Sequence, residues 1–219
     1  MKIMQIDLWI SNYEETVAFY QHTLELPLKS WNETEATFQV GNSVLKLIKD
    51  LEARNYYYHF AFNIHANMFQ KAKSWLQERV TLSTEDGEDE VEFAGRFKAT
   101  SCYFEDPAGN IVEYIARDGI APSSESTHFS TRNVIEISEI GLTTKNILNS
   151  AEQILHLGIP PQDGKIVDEV DYLNFMGEQE DGAYILLGPV GRTWFFSHKK
   201  SIESPVTIYT DRGIISNLL

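Results

Sequence analysis

The stretch Ile3-Met4-Gln5-Ile6-Asp7-Leu8-Trp9-Ile10-Ser11-Asn12-Tyr13-Glu14 sets the pattern by which the rest of the chain is read. Up to Ile10 it alternates and is rich in β-formers, so it reads as a strand with Gln5, Asp7 and Trp9 on one face. Ser11, with Glu14 three residues on, has the form of a capping box. Val17, Ala18 and Leu24 then continue at helical spacing. Three short strands are predicted to follow: Leu28 to Trp31, Ala36 to Val40 and Val44 to Ile48. Gly41-Asn42 makes the hairpin turn between the last two. The whole is a βαβββ unit.

The same order recurs. Tyr57 to Ile64 reads as a strand, and Asn67 with Gln70 caps a helix running to about Glu78. After a polar loop, Phe97 to Phe104 and Ile111 to Ala116 read as strands joined by Asp106-Pro107-Ala108-Gly109-Asn110. In that turn proline fixes φ and glycine permits a positive φ. A third start lies at Asn133 to Leu142, followed by a helix from Asn146 to Leu157 that Gly158 and Pro160 stop. Strands are predicted at Tyr172 to Met176 and Tyr184 to Leu187. Two further apolar stretches, Trp194 to Ser197 and Val206 to Tyr209, complete the third unit. The Ser-, Thr- and Pro-rich segment between units two and three is the linker. The expected division is a two-module domain over 1–120, a linker over 121–132 and a third βαβββ-like module over 133–219.

The fold class is therefore α+β: paired βαβββ units forming a cupped, half-open barrel, with a third unit at the C-terminus. A single unit leaves one sheet face uncovered. Units one and two can cover each other, which leaves the third to act as a cap or to pair with its copy in a second chain. A homodimer is expected on that ground.

Composition narrows the function. The 219 residues carry 18 Lys and Arg against 32 Asp and Glu, a formal net charge of −14. Such a chain repels phosphate backbones, so nucleic acid and anionic membrane surfaces are not expected partners. The run Glu85 to Glu90 reads as a solvated loop. No apolar run is long enough to span a bilayer and no signal-peptide core is evident, so a cytoplasmic location is expected. One cysteine, Cys102, excludes an internal disulfide and a cysteine-based zinc cluster.

In a cupped barrel, alternate strand residues point inward. His59, Ala61 and Asn63 share one face of the fifth strand, and Ile111, Glu113 and Ile115 one face of the eighth. Gln5, His59 and Glu113 are thus candidates to converge as an oxygen-rich site for a divalent metal (Ni, Zn, Mn or Fe), with positions left open for a small-molecule substrate. Asp7 is a candidate general base, and Tyr103 a donor to a bound oxyanion. Trp9, Trp31 and Asn63 are candidate pocket walls. His22, His65, His128, His156 and His198 have no partner pattern and read as surface or loop residues.

His59-Phe60-Ala61-Phe62, Asp106 to Glu113, and Ile6 to Asn12 with Phe19, Tyr20 and Leu24 resemble signatures of the vicinal oxygen chelate superfamily. That superfamily comprises glyoxalases, bleomycin-resistance proteins and extradiol dioxygenases. The resemblance covers residues 1–117 well and 133–190 more weakly. It implies a metal-dependent enzyme, with Glu113 as a ligand and isomerase or lyase chemistry favoured over dioxygenase, because Gln5 stands where members usually carry His. One class of glyoxalase I has Gln there, but it also uses a Glu on the fourth strand, where the turn correspondence places Leu45. The phosphonate-binding basic cluster of the fosfomycin thiol transferases is not evident. The alternative is a non-catalytic binder of the bleomycin-resistance type, without metal. In the third unit Glu139 takes the place of Gln5 and Leu186 that of Glu113, so no second site is expected there.

Overall fold

The computed structural model describes residues 1–95, 98–170 and 173–218. Unit one comprises β1 (Ile3–Ile10), α1 (Tyr13–Ala18, continued by a π-turn over Phe19–Thr23), β2 (Leu28–Trp31), β3 (Glu35–Val40) and β4 (Ser43–Lys49). Unit two comprises β5 (His59–Ile64), α2 (Phe69–Gln77), β6 (Val91–Phe93), β7 (Ala99–Glu105) and β8 (Ile111–Arg117). The remainder gives β9 (Val134–Thr144), α3 (Ile147–His156), β10 (Asn174–Met176), β11 (Tyr184–Pro189), β12 (Val206–Thr210) and β13 (Gly213–Ser216). The chain is α+β and built on the expected repeat. In each unit the first strand lies parallel to a later one: β1 to β4, β5 to β8 and β9 to β11.

Units one and two face each other across a core, but the strand pairing also draws in the third unit. One sheet has the order β13-β12-β1-β4-β3-β2, the other β10-β11-β9-β5-β8-β7-β6. Thus β5 pairs antiparallel with β9, setting Ala61 against Glu139, while β1 pairs with β12. Units two and three share a sheet, and a C-terminal hairpin completes unit one. Burial explains the choice. Every residue of β5 is buried, as in a central strand covered on both faces, whereas β1 keeps Met4 exposed and Gln5 and Trp9 half-buried. The third unit therefore has a partner sheet within its own chain, and the packing reason for a second chain no longer applies.

The apolar faces of both sheets meet in one core. Ile6, Leu8 and Ile10 of β1, Phe60, Phe62 and Ile64 of β5, and Ile137 and Ile140 of β9 belong to it, with Tyr13, Val17 and Tyr20 from unit one's helical segment. The turn between β3 and β4 docks directly on β9. The Asn42 amide donates to the Ile135 carbonyl at 2.7 Å, and Ser43 Oγ donates to Ile3 O and accepts from Ile137 N. A Cβ at Gly41 (φ +55°) would lie 2.0 Å from that carbonyl, so only glycine fits.

The predicted Asp-Pro-x-Gly-Asn turn is explained by its first residue. The buried Asp106 carboxylate accepts from the amides of Ala108 and Asn110, from the Asn110 side chain and from the Tyr20 hydroxyl. It fixes the turn and ties α1 to the entry of β8. Two caps fall elsewhere than expected. The α1 helix begins after Asn12 with no side-chain cap from Ser11, and Asn67 bonds Ser124 rather than capping α2. Phe97 and Tyr172, the starts of two expected strands, lie outside the described residues. Trp194 to Ser197 is a turn rather than a strand, with Phe196 at φ +51°. Among the described residues no helix is long and apolar enough to cross a membrane.

Candidate metal centre

The register of the central sheet brings three side chains to one point. His59 opens β5, and Glu113 lies on β8, paired through Ala61 with Glu139 of β9. All three are buried, and each offers a ligand atom within 4.8 Å of the others. His59 Nε2 is 3.5 Å from Glu113 Oε2 and 3.9 Å from Glu139 Oε2. Its other nitrogen, Nδ1, donates to the Ile111 carbonyl at 3.1 Å. That bond fixes the neutral imidazole with the Nε2 lone pair facing two carboxylates, which is repulsive unless a proton or a cation lies between. Metal–ligand bonds of about 2.0–2.2 Å place neighbouring ligands about 3.0–3.5 Å apart, close to these separations. A backbone carbonyl holding Nδ1–H is also the usual support of a metal-bound histidine. The donor set therefore fits a divalent cation.

Electrostatics agree with the geometry. Burial and the neighbouring Glu139 push the Glu113 carboxyl up to about 7. Burial opposes protonation of His59, but the two carboxylates outweigh it and hold its pKa above the ordinary value. Burial also works against ionisation of Glu139, yet Arg117 and His59 keep it below the usual range. Arg117 donates to Glu139 Oε1, leaving Oε2 turned to His59.

A cavity of about 420 Å³ opens over these groups. Its walls are largely aromatic: Trp194 (5.0 Å from the His59 ring), Tyr103 (6.3 Å), Phe93 and Phe195. Tyr103 stacks on Phe196 at 4.8 Å, and burial beside Glu113 keeps its hydroxyl protonated well above the ordinary pKa. Trp194 reaches His59 because residue 141 is glycine; a Cβ there would sit 2.8 Å from the indole. Arg117, Arg192 and Lys165 supply the positive groups of the lining.

Of the residues singled out from sequence, His59, Glu113 and Tyr103 line this cavity. Gln5 and Asp7 are on β1 in the other sheet, where the Gln5 amide donates to Asp7 Oδ1 at 2.6 Å, and neither joins the cluster. Trp9 borders a separate polar groove with Arg54 and Tyr56. Trp31 is 58% exposed on the strand at the sheet edge. Asn63 is buried on β5, its register partner Glu136 rather than a cluster residue. The third unit, expected to hold no site, contributes Glu139 to that of the second. Its signal was present as a carboxylate in an apolar strand at the repeat position of Gln5. Nothing comparable marked Arg117, Arg192 or Trp194.

Residues 137–192, which include Glu139, match the family model for toxoflavin-degrading enzyme. No curated protein matches the sequence. Among solved structures, a candidate dioxygenase from Bacillus subtilis is 17% identical and matches 88% of this chain and 65% of its own, with a TM-score of 0.61. A variant of glyoxalase I from Zea mays is 14% identical and matches 86% of this chain and 66% of its own, with a TM-score of 0.56. The chain thus spans about two thirds of each. Together with the repeated units, the His59 strand and the Asp106 to Glu113 turn, these matches show that the chain has the fold of the glyoxalase and dioxygenase proteins it resembles.

Proposed function

We propose that the protein is a metal-dependent enzyme that holds a divalent cation on His59, Glu113 and Glu139 and takes a flat, oxygen-bearing small molecule into the cavity beside it. The observation that carries this reading is His59 Nε2 aimed at two buried carboxylates while Nδ1 is committed to Ile111. One imidazole and two carboxylates suit Mn, Fe or Zn, and the bound cation would act as a Lewis acid on a substrate oxygen. The protein's own residues orient and enclose. Arg117 holds Glu139 in place. Trp194, Phe93 and Phe195 exclude water and offer faces for an aromatic ring. The Tyr103 hydroxyl, kept protonated by burial beside Glu113, would donate to a substrate oxygen. Lyase or isomerase chemistry, which needs polarisation of that oxygen and movement of a proton, is the reaction class this reading takes. The toxoflavin-degrading family match makes toxoflavin one substrate to assay.

A second reading, a metal-free binder, has one observation in its favour. With His59 protonated, His59 and Arg117 neutralise Glu113 and Glu139 without any cation. Metal analysis of the purified protein separates the two. About one Mn, Fe or Zn per chain, lost in a folded His59→Ala variant, is the expected result. A metal-free wild type with an aromatic ligand in the cavity overturns the enzyme reading.

A further inference from the structure

Arg192 enters the cavity from the loop after β11, and its situation differs from that of Arg117. Arg117 is taken up by Glu139. Arg192 Nη1 is closed off from solvent and has no hydrogen-bond partner among the described residues. Burial draws its pKa below the usual arginine value. Its guanidinium lies over Trp194, Cζ 5.5 Å from the ring centroid, and the same indole lies 5.0 Å from the His59 ring. Arg192 is half-buried on the cavity lining, so an acceptor brought by a ligand would meet a guanidinium that the described residues leave unpaired. In a chain of net charge −14 an acidic side chain would be an easy partner, yet no ion pair to Arg192 forms among the described residues.

Charge points the same way. A divalent cation offsets Glu113 and Glu139, and Arg117 and Arg192 then leave the cavity with surplus positive charge. We propose that Arg192 is the receptor for an anionic oxygen of the substrate, a carboxylate or enolate-type group on a flat ring that rests on Trp194 while its other end faces His59. The placement of the reacting end rests on the metal-centre reading; the role of Arg192 does not.

The test is calorimetric binding of 4-hydroxybenzoate and of its neutral isostere 4-hydroxybenzamide, to zinc-loaded and to EDTA-treated protein. Wild type is expected to bind the carboxylate about tenfold or more tightly than the carboxamide in both preparations, as a charge-assisted hydrogen bond requires. Arg192→Met abolishes the preference and leaves carboxamide affinity within about twofold. Arg192→Lys retains part of it. Because no hydrogen bond or ion pair to the guanidinium forms among the described residues, Arg192→Met and Arg192→Gln are expected to melt close to wild type, so loss of binding is not loss of fold. A carboxylate preference that survives Arg192→Met, a wild type without preference, or failure of both probes to bind overturns the proposal. Failure of the protein to retain zinc overturns the metal centre instead, and leaves the Arg192 dependence in EDTA-treated protein standing.

Discussion

The two sheets repeat one register and fill it with different chemistry. Around β5, register sets His59 beside Ile111 and Ala61 beside Glu113. Around β1, it sets Gln5 beside Val44 and Asp7 beside Lys46. An ammonium therefore occupies the place of the Glu113 carboxylate, and an amide that of the imidazole. Lys46 draws Asp7 down, against burial that raises it, and is itself paired with Glu35. The first sheet is internally balanced and needs no cation; the second gathers two carboxylates about a lone pair. Scaffold and function separate here, since one repeat carries both outcomes.

Breaking the second sheet's arrangement should have the largest effect. His59→Ala is expected to abolish metal retention outright, with circular dichroism unchanged, while Gln5→Ala leaves the metal content of wild type. Loss of metal in Gln5→Ala would mean that the ligand set has been assigned to the wrong first strand. Next in size is Arg117→Met, which strands the buried Glu139 charge. It should cost roughly 3–5 kcal/mol in metal-free protein, and less once a divalent ion is bound. Denaturant melts with and without zinc read the difference, and an equal loss in both would remove Arg117 as Glu139's support.

Much of this was legible in sequence, and the failures have physical causes. The order of strands, the Asp106 turn and the shared inward face of His59 and Glu113 follow from alternation and turn chemistry, which are local. The choice of partner strand is not local. β1, β5 and β9 all open a unit with the same pattern, and nothing in that pattern says that β5 and β9 are neighbours while β1 pairs with β12. The fourth-strand position illustrates how little is needed to mislead. Counting from Gly41 places Leu45 opposite Glu113, but the register sets Val44, not Ser43, beside Gln5, so Lys46 takes that place and Leu45 faces the core. A slip of one residue exchanges the faces of a strand. Trp194 and Phe196 looked like strand residues because they are apolar and alternate; they are buried, but on a turn, Trp194 as a cavity wall and Phe196 stacked on Tyr103.

The pH response sharpens the contrast further. In metal-free protein Glu113 titrates at about 7, above the value of 4.5 for an unperturbed Glu, so between those values the folded state holds a proton that the unfolded chain has lost. Stability then falls as pH rises through that window. His59, also raised, adds to the loss above 6.5. Glu139, lowered, acts in the opposite sense but only in acid, where its stabilisation is lost as pH falls below about 4.5. Thermal melts of EDTA-treated protein should therefore decline from pH 5 to pH 8 by an amount on the order of 1–3 kcal/mol. With zinc bound the decline should vanish or reverse, because metal and proton compete for the same lone pairs. A metal-free protein that grows more stable across that range would show that Glu113 is ionised and paired there.

The smallest effect belongs to the first sheet. Asp7 is buried, and burial raises its pKa although Gln5, Lys46 and Tyr209 all favour the charged form. A carboxylate whose ionisation is opposed overall should lose little on becoming an amide of the same shape. Asp7→Asn is thus expected to change stability by less than about 1 kcal/mol at pH 7 and to leave metal content and cavity binding untouched. The same exchange at Glu139, Glu139→Gln, removes a charge held by Arg117 and turned to His59, and should lower metal affinity at least tenfold. Measured side by side, the pair asks whether position in the repeat or surroundings in the fold decides what a buried carboxyl does. Equal loss of metal in both variants would mean that the two sheets cooperate in one site, and that their separation in the fold is no guide to their chemistry.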